Sequence, residues 1–175
     1  LVHQGMILGA NGIKMGKRFP EFVVNPSDIV RDYGADTLRL YEMFMGPLEV
    51  SKPWSPQGVE GARRFINKVW NYFTNPDNIA EDNIDSLKKL YHQTVKKVTS
   101  DFETLGFNTA IAQMMIFMNT ATKSTCPKEY AEGIIKMLSC ICPHVGEEIW
   151  SILGHDTTIA YEKWPEFDPE AVKED

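Results

Sequence analysis

Two lysines and an arginine in five residues, Lys14-Met15-Gly16-Lys17-Arg18, are the side chains of this sequence whose spacing points to chemistry. They lie in a segment that also holds Gly9 and Gly12, a composition suited to a mobile cationic loop that closes on phosphate oxygens. Lysine fits such a task because its ammonium is a compact charge on a flexible stem. No competing chemistry is legible elsewhere. There is no Ser/His/Asp set, no pair of carboxylates with supporting context and no metal-ligand cluster. His3, His92, His144 and His155 are scattered and are expected to be surface or capping residues. Cys126, Cys140 and Cys142 form an odd set without CxxC spacing, which supports neither a disulfide framework nor a zinc site and predicts buried thiols.

The elements around this loop follow from local signals. Leu1 to Leu8 is an apolar run expected as a connecting strand or loop, and 10–22 has neither period 2 nor period 3.6, which predicts a loop. Asn25-Pro26-Ser27-Asp28 supplies a turn and an N-cap for a short helix that Gly34 ends. Ala35 to Met45 then predicts a second helix, stopped by Gly46-Pro47. Pro47, Pro53 and Pro56 punctuate a connector that marks the expected domain boundary, 1–53 against 54–175.

Beyond the boundary, apolar residues recur at helical spacing. A helix over 56–73 places Ala62, Phe65, Ile66, Val69 and Phe73 on one face and Arg63, Arg64, Asn67, Lys68 and Asn71 on the other. A longer one from Ile84 or Asp85 to Leu105 turns Leu87, Leu90, Tyr91, Val95, Val98, Phe102 and Leu105 inward. Lys88, His92 and Lys96 form its outer stripe. Asn108 or Thr109 is expected to cap a third helix with Ile111, Met114, Met115 and Met118 inward. Pro127 opens a fourth carrying Ile134, Met137, Leu138 and Ile141, and Pro143 either begins a fifth or kinks the fourth. The fifth bears Val145, Ile149, Ile152 and Leu153 and ends near Gly154. The stretch 158–164 reads as extended, and 166–175 as a frayed acidic end. Short links between amphipathic helices predict a mainly α fold, an antiparallel helical bundle preceded by a loop and short helices. Trp54 and Trp70 are expected to anchor the core or the junction.

Composition narrows the function classes. With 43% hydrophobic and 24% charged residues the sequence reads as an ordinary globular protein, and no run approaches the ~18 apolar residues that span a bilayer. No membrane partner and a cytoplasmic location are therefore expected. Leu1 is not an initiator methionine and the sequence opens inside an apolar run, so it is expected to be a piece of something larger. The net charge of −6 argues against a general nucleic-acid coat. Its distribution is uneven: residues 1–75 hold nine Lys/Arg and seven Asp/Glu, net +2, and the remainder nine and seventeen, net −8. A polyanion should meet the first half.

Taken residue by residue, KMGKR followed by VVNPSDIVRDYGADTLRLYEMFMGPLE resembles the KMSKS loop and following segment of class I aminoacyl-tRNA synthetases, in particular the leucyl enzymes. GVEGARRFINKVW at 58–70, FNTAIAQMMIFMN at 107–119, CPHVGEEIWSILGH at 142–155 and AYEKWPEFD at 160–168 are similar to the same family, in its order. The resemblance implies a fragment of a leucine–tRNA ligase. Lys14 and Lys17 take the motif's two catalytic lysine positions, and Lys17 the one placed on ATP; Met15, Gly16 and Arg18 complete the nucleotide-binding motif. Gly16 and Arg18 depart from the family's usual serines, which removes a hydroxyl donor, and the bridge 19–22 is one residue longer than usual. The bundle resembles the class's anticodon-binding domain, which in leucyl enzymes contacts the body of the tRNA. Arg63, Arg64, Lys68, Lys88 and Lys96 are then the expected phosphate-contacting residues. The implied parent uses ATP as substrate with Mg2+, has tRNA(Leu) and leucine as partners and is a monomer; the fragment itself binds no metal and is inactive alone. A valyl, isoleucyl or methionyl synthetase fragment is the alternative within the class. A helical interaction module without enzymatic function is the alternative outside it, although such a module has no use for two lysines around Met-Gly.

Overall fold

The structure is a computed structural model that describes residues 1–173. Seven α-helices are formed among these residues: α1 (Pro26–Tyr33), α2 (Ala35–Phe44), α3 (Pro56–Phe73), α4 (Ile84–Glu103), α5 (Phe107–Ala121), α6 (Lys128–Ser139) and α7 (Pro143–Ile152). Two short strands, β1 (Ile7–Leu8) and β2 (Lys52–Pro53), pair in parallel, Ile7 with Lys52 and Leu8 with Pro53. The protein is thus a mainly α bundle, as expected, with α4 and α5 as its most extensive pair and α6 packed on α7.

The caps follow the local chemistry. Asn25 accepts the Ser27 N–H at 3.0 Å with Pro26 at the first helical position, and Ser55 accepts the Gly58 N–H at 3.1 Å with Pro56 behind it. Gly34 ends α1 at φ 91° and opens α2 at once, a corner that a side chain resists. Pro143 begins α7 and does not kink α6.

The core is dry. Val69, Val95, Val98, Ile111, Met114, Phe117, Met118, Ile135, Met137 and Ile149 are fully enclosed. Tyr91 stacks on Tyr130 with ring centroids 4.2 Å apart where α4 crosses α6. A Cβ at Gly133 would fall 1.9 Å from the Tyr91 hydroxyl, so this crossing depends on glycine.

Several expectations change. Leu105 is not an inward residue of α4: the helix stops at Glu103, and Leu105, at φ 62°, points to solvent while Gly106 N–H bonds the Asp101 carbonyl at 2.6 Å. Neither Asn108 nor Thr109 is the α5 cap. Gly106 takes that position, and Thr109 in the first turn donates to the Asp101 carboxylate at 2.7 Å. Ile152 is exposed, and the buried aromatic of α7 is Trp150. Residues 158–164 are not extended throughout, because Ile159–Tyr161 closes a 3-10 turn capped by Thr158. Cys126 and Cys142 are buried as expected, but Cys140 is exposed.

The segment expected to fray is bonded back to the bundle as far as Asp168. Trp164 donates to Thr99 Oγ1 at 2.8 Å and packs on Phe102, and the Asp168 N–H bonds His92 Nδ1 at 3.0 Å. His92 is therefore a half-buried anchor of this segment and not an open member of the α4 stripe. Residues 174–175, the end of that expected tail, lie outside the described residues.

Candidate functional site

The lysine loop is a tight excursion from β1. Gly9 N–H bonds the Ile13 carbonyl at 2.9 Å, Lys14 bridges back to Leu8, and Asn11 Oδ1 accepts the Ile13 N–H at 3.2 Å. Gly12 sits at φ 76° at the tip. Lys14, Gly16, Lys17 and Arg18 are all exposed, and neither lysine forms an ion pair among the described residues. Arg18 lies over the Phe19 ring, 5.2 Å from its centroid. The loop thus offers two free ammonium groups, which can meet phosphate oxygens without first breaking a salt bridge.

Met15 is the exception. Half buried, it points inward, its sulfur accepts the Val24 N–H at 3.4 Å, and it lines a cavity of about 140 Å³ with Ile7, Val24, Pro26, Leu38, Glu42 and Trp54. Of the predicted motif, four residues face solvent and one faces the protein.

Trp54 joins this cavity to the bundle. Its ring meets Tyr41 edge-on at 4.8 Å, and the Tyr41 hydroxyl accepts the N–H of Ser55, the cap of α3, at 2.7 Å. A Cβ at Gly58 would stand 2.6 Å from the Tyr41 ring, so the start of α3 is seated directly on that tyrosine. Trp54 is the expected junction anchor.

Two charged residues of α2 fix the far side. Asp36 is buried, and its carboxylate accepts the N–H groups of His144 and Val145 at 3.3 and 2.7 Å, capping α7 from another helix. One turn along, Arg39 donates to the carbonyls of Ile141 and Cys140 at 2.7 and 3.2 Å, at the end of α6. The anion sits at a helix N-terminus and the cation at a helix C-terminus, each the favourable placement in the helix dipole. Nothing in the local sequence marks Asp36 or Arg39 as more than surface charges; their partners lie over a hundred residues away.

Glu42, on the same helix, makes no hydrogen bond or ion pair among the described residues. It lines both the Met15 cavity and a second one of about 330 Å³ with Arg39, Met43, Phe102, Phe107, Cys140 and Ile141. Burial raises its pKa above the ordinary carboxylate value. Burial likewise pushes the Cys126 thiol up to about 12, and Cys142 higher still, so neither is a thiolate at neutral pH.

The basic residues of the bundle are distributed over two regions. Arg63, Arg64 and Lys68 run along the exposed side of α3; Arg63 donates to the Tyr33 carbonyl at 3.0 Å, and Lys68 donates to Asn119 at the end of α5. Lys88 and Lys96 lie on α4, flanking His92 and the segment bonded to it, and α4 packs on α5 and α6 rather than on α3. The α3 stripe is thus tied to α5 by the Lys68–Asn119 hydrogen bond, with no such bond to the α4 stripe among the described residues. The sequence holds a signal for that grouping: residues 61–76 and 104–128 contain no Asp or Glu and five Lys/Arg, namely Arg63, Arg64, Lys68, Lys123 and Lys128. Among the described residues no group of three or more His, Cys, Asp or Glu is placed to hold a metal ion, and no helix is long and apolar enough to cross a membrane.

Residues 86–175, half of the chain, match the family described as the anticodon-binding domain of tRNA ligase. The chain belongs to that family. The match begins in α4, so α3 and the lysine loop lie ahead of the matched stretch. The whole fold is nonetheless found in a solved structure, the Agrobacterium radiobacter K84 agnB2 LeuRS in ternary complex with tRNA and LeuAMS. The two superpose with a TM-score of 0.79 at 25% sequence identity over 97% of this chain. This chain spans 24% of the length of that one. The anticodon-binding family and the LeuRS likeness agree with the resemblance carried by the motifs.

Proposed function

We propose that this chain is the segment of a leucine–tRNA ligase that joins the mobile ATP-stabilising loop (1–53) to the tRNA-contacting helical domain (54–175). The observation that carries the reading is the single superposition on a LeuRS running through both parts, lysine loop and bundle, over 97% of the chain. In this reading the parent enzyme activates leucine with ATP and Mg2+ and transfers it to tRNA(Leu), as a cytoplasmic monomer. Valyl, isoleucyl and methionyl parents gain no support from that superposition, and a non-enzymatic module leaves the two free lysines without a purpose.

Formation of leucyl-adenylate builds negative charge on the departing pyrophosphate. An ammonium that reaches those oxygens as the charge develops lowers the barrier more than it tightens ground-state ATP binding. Lys17 has the freedom for this, being exposed, unpaired and adjacent to Gly16, whose Cα has open space around it. Lys14, three residues earlier, serves as the second charge. The helices then hold tRNA by its backbone: Arg63, Arg64 and Lys68 on α3, and Lys88 and Lys96 on α4, are cations suited to phosphates and carry no base-reading geometry.

The test is leucine-dependent pyrophosphate exchange by the full-length enzyme carrying Lys17→Ala. The turnover rate is expected to fall by about 3 kcal/mol of transition-state stabilisation, near two orders of magnitude, with a much smaller change in the KM for ATP. An unchanged rate at saturating ATP would remove the loop from catalysis. The 175-residue chain alone is expected to show no exchange.

A further inference from the structure

Met15 differs from every other residue of the loop. From Asn11 to Arg18 it is the one side chain not exposed, and it lines a single cavity at the junction together with residues of four separate elements: Ile7 of β1, Val24 of the strand-like segment before α1, Leu38 of α2, and Trp54 of the connector to α3. Its sulfur takes the Val24 N–H, which has no other partner among the described residues.

The backbone on both sides has steric room. Gly12 turns at φ 76°, and no atom lies within 4 Å of the place a Cβ would occupy at Gly12 or Gly16. Beside the methionine about 140 Å³ remains open, so the side chain has room to shift within its seat or to leave it without repacking the neighbours. An unbranched thioether with three rotatable bonds suits a seat that must be occupied and vacated. Lys14 and Lys17 are one and two residues away, so any shift of Met15 carries both ammonium groups with it, each backbone step spanning about 3.8 Å.

We propose that Met15 is the positioning residue of the loop: its seat between Ile7, Val24, Leu38 and Trp54 sets where Lys14 and Lys17 stand. The seat also communicates with the bundle, because Trp54 contacts Tyr41 and Tyr41 holds the first N–H ahead of α3. Displacing Met15 therefore loosens the loop and leaves α3 capped. The catalytic consequence rests on the reading of the chain as part of a synthetase; the seat itself does not.

Two variants test this, Met15→Ala, which empties the seat, and Met15→Leu, which fills it without the sulfur. In the 175-residue chain, amide exchange at Val24 and at residues 14–18 is expected to rise at least tenfold in M15A. In M15L it rises at Val24 alone, since the acceptor is lost and the packing kept. In the full-length enzyme, M15A is expected to lower kcat for pyrophosphate exchange about tenfold with the KM for leucine unchanged, and M15L to restore it to within threefold. Loop amides that exchange no faster in M15A than in the parent chain would overturn the seat. Equal losses of activity in M15A and M15L would overturn the positioning role. If the unmodified full-length protein shows no leucine-dependent pyrophosphate exchange while M15A still frees the loop amides, the synthetase reading fails and the seat stands.

Discussion

The first fifty residues and the bundle spend their apolar side chains in opposite ways. Leu1, Val2, Met6, Ile13, Val23, Val30, Phe44 and Val50 are exposed in the first part, against Ile84, Leu105, Ile116, Ile152 and Tyr161 in the much longer second part. The bundle encloses Ile111, Met114, Phe117, Met118 and Ile149 completely, whereas the lysine loop is held by one half-buried methionine and a few backbone bonds. Stability and chemistry are therefore divided between the two regions, the bundle supplying a fixed platform and the loop two charges that remain movable.

The sharpest way to break that division is to cut into the platform. Phe117 is fully enclosed, 6.3 Å from Tyr91 between ring centroids, in the α4–α5 pair that packs most extensively. Phe117→Ala is expected to cost about 4 kcal/mol, read as a lower denaturant midpoint, because the cavity it leaves is ringed by residues with nowhere to relax. Lys17→Ala should leave the same midpoint unchanged within about 0.5 kcal/mol, since its side chain touches solvent. If both variants melted alike, the two regions would not be separable.

A middle-sized effect belongs to the joint between the regions. Asp36→Ala removes the carboxylate that caps α7 and leaves the His144 and Val145 N–H groups without that acceptor. The expected loss is about 2 kcal/mol, typical of a cap whose removal strands part-buried donors. Urea unfolding of the chain measures it. A loss below about 0.5 kcal/mol would mean that solvent replaces the carboxylate and that α2 is not a structural bridge.

Most of the bundle was legible because its signals are local. The inward faces of α3 and α4 follow from spacing, and the caps at Asn25 and Ser55 are one residue away from the prolines that announce them. What the sequence did not disclose depends on partners far along the chain. Asp36 and Arg39 look like ordinary helix-surface charges until α6 and α7 are folded onto them. His92 reads as part of a basic stripe until Asp168 comes back to it. Leu105 fits the apolar period one turn too long, because periodicity carries no information about where the left-handed turn ends the helix. Met15 was visible as a motif member, but its inward direction is set by a seat assembled from four elements.

The smallest effect sharpens the comparison where the regions meet. Glu42 lies between the two cavities with its carboxylate unpaired among the described residues, and burial raises its pKa. A raised carboxylate pKa means that the folded state binds the proton more tightly than the unfolded one. Ionised Glu42 therefore destabilises the fold at neutral pH, and that cost fades as the pH falls through the window from its raised folded value to the ordinary carboxylate value near 4.3. The side chain is only partly enclosed, so solvent screening keeps the effect modest. Glu42→Gln should raise the melting temperature by about 1–2 °C at pH 7, and the gain should disappear by about pH 4. Melting curves of the two chains at several pH values decide the matter. A gain that persists at low pH would trace to packing of the amide and not to charge. A loss of stability at pH 7 would mean that Glu42 has an acceptor role that the cavities conceal.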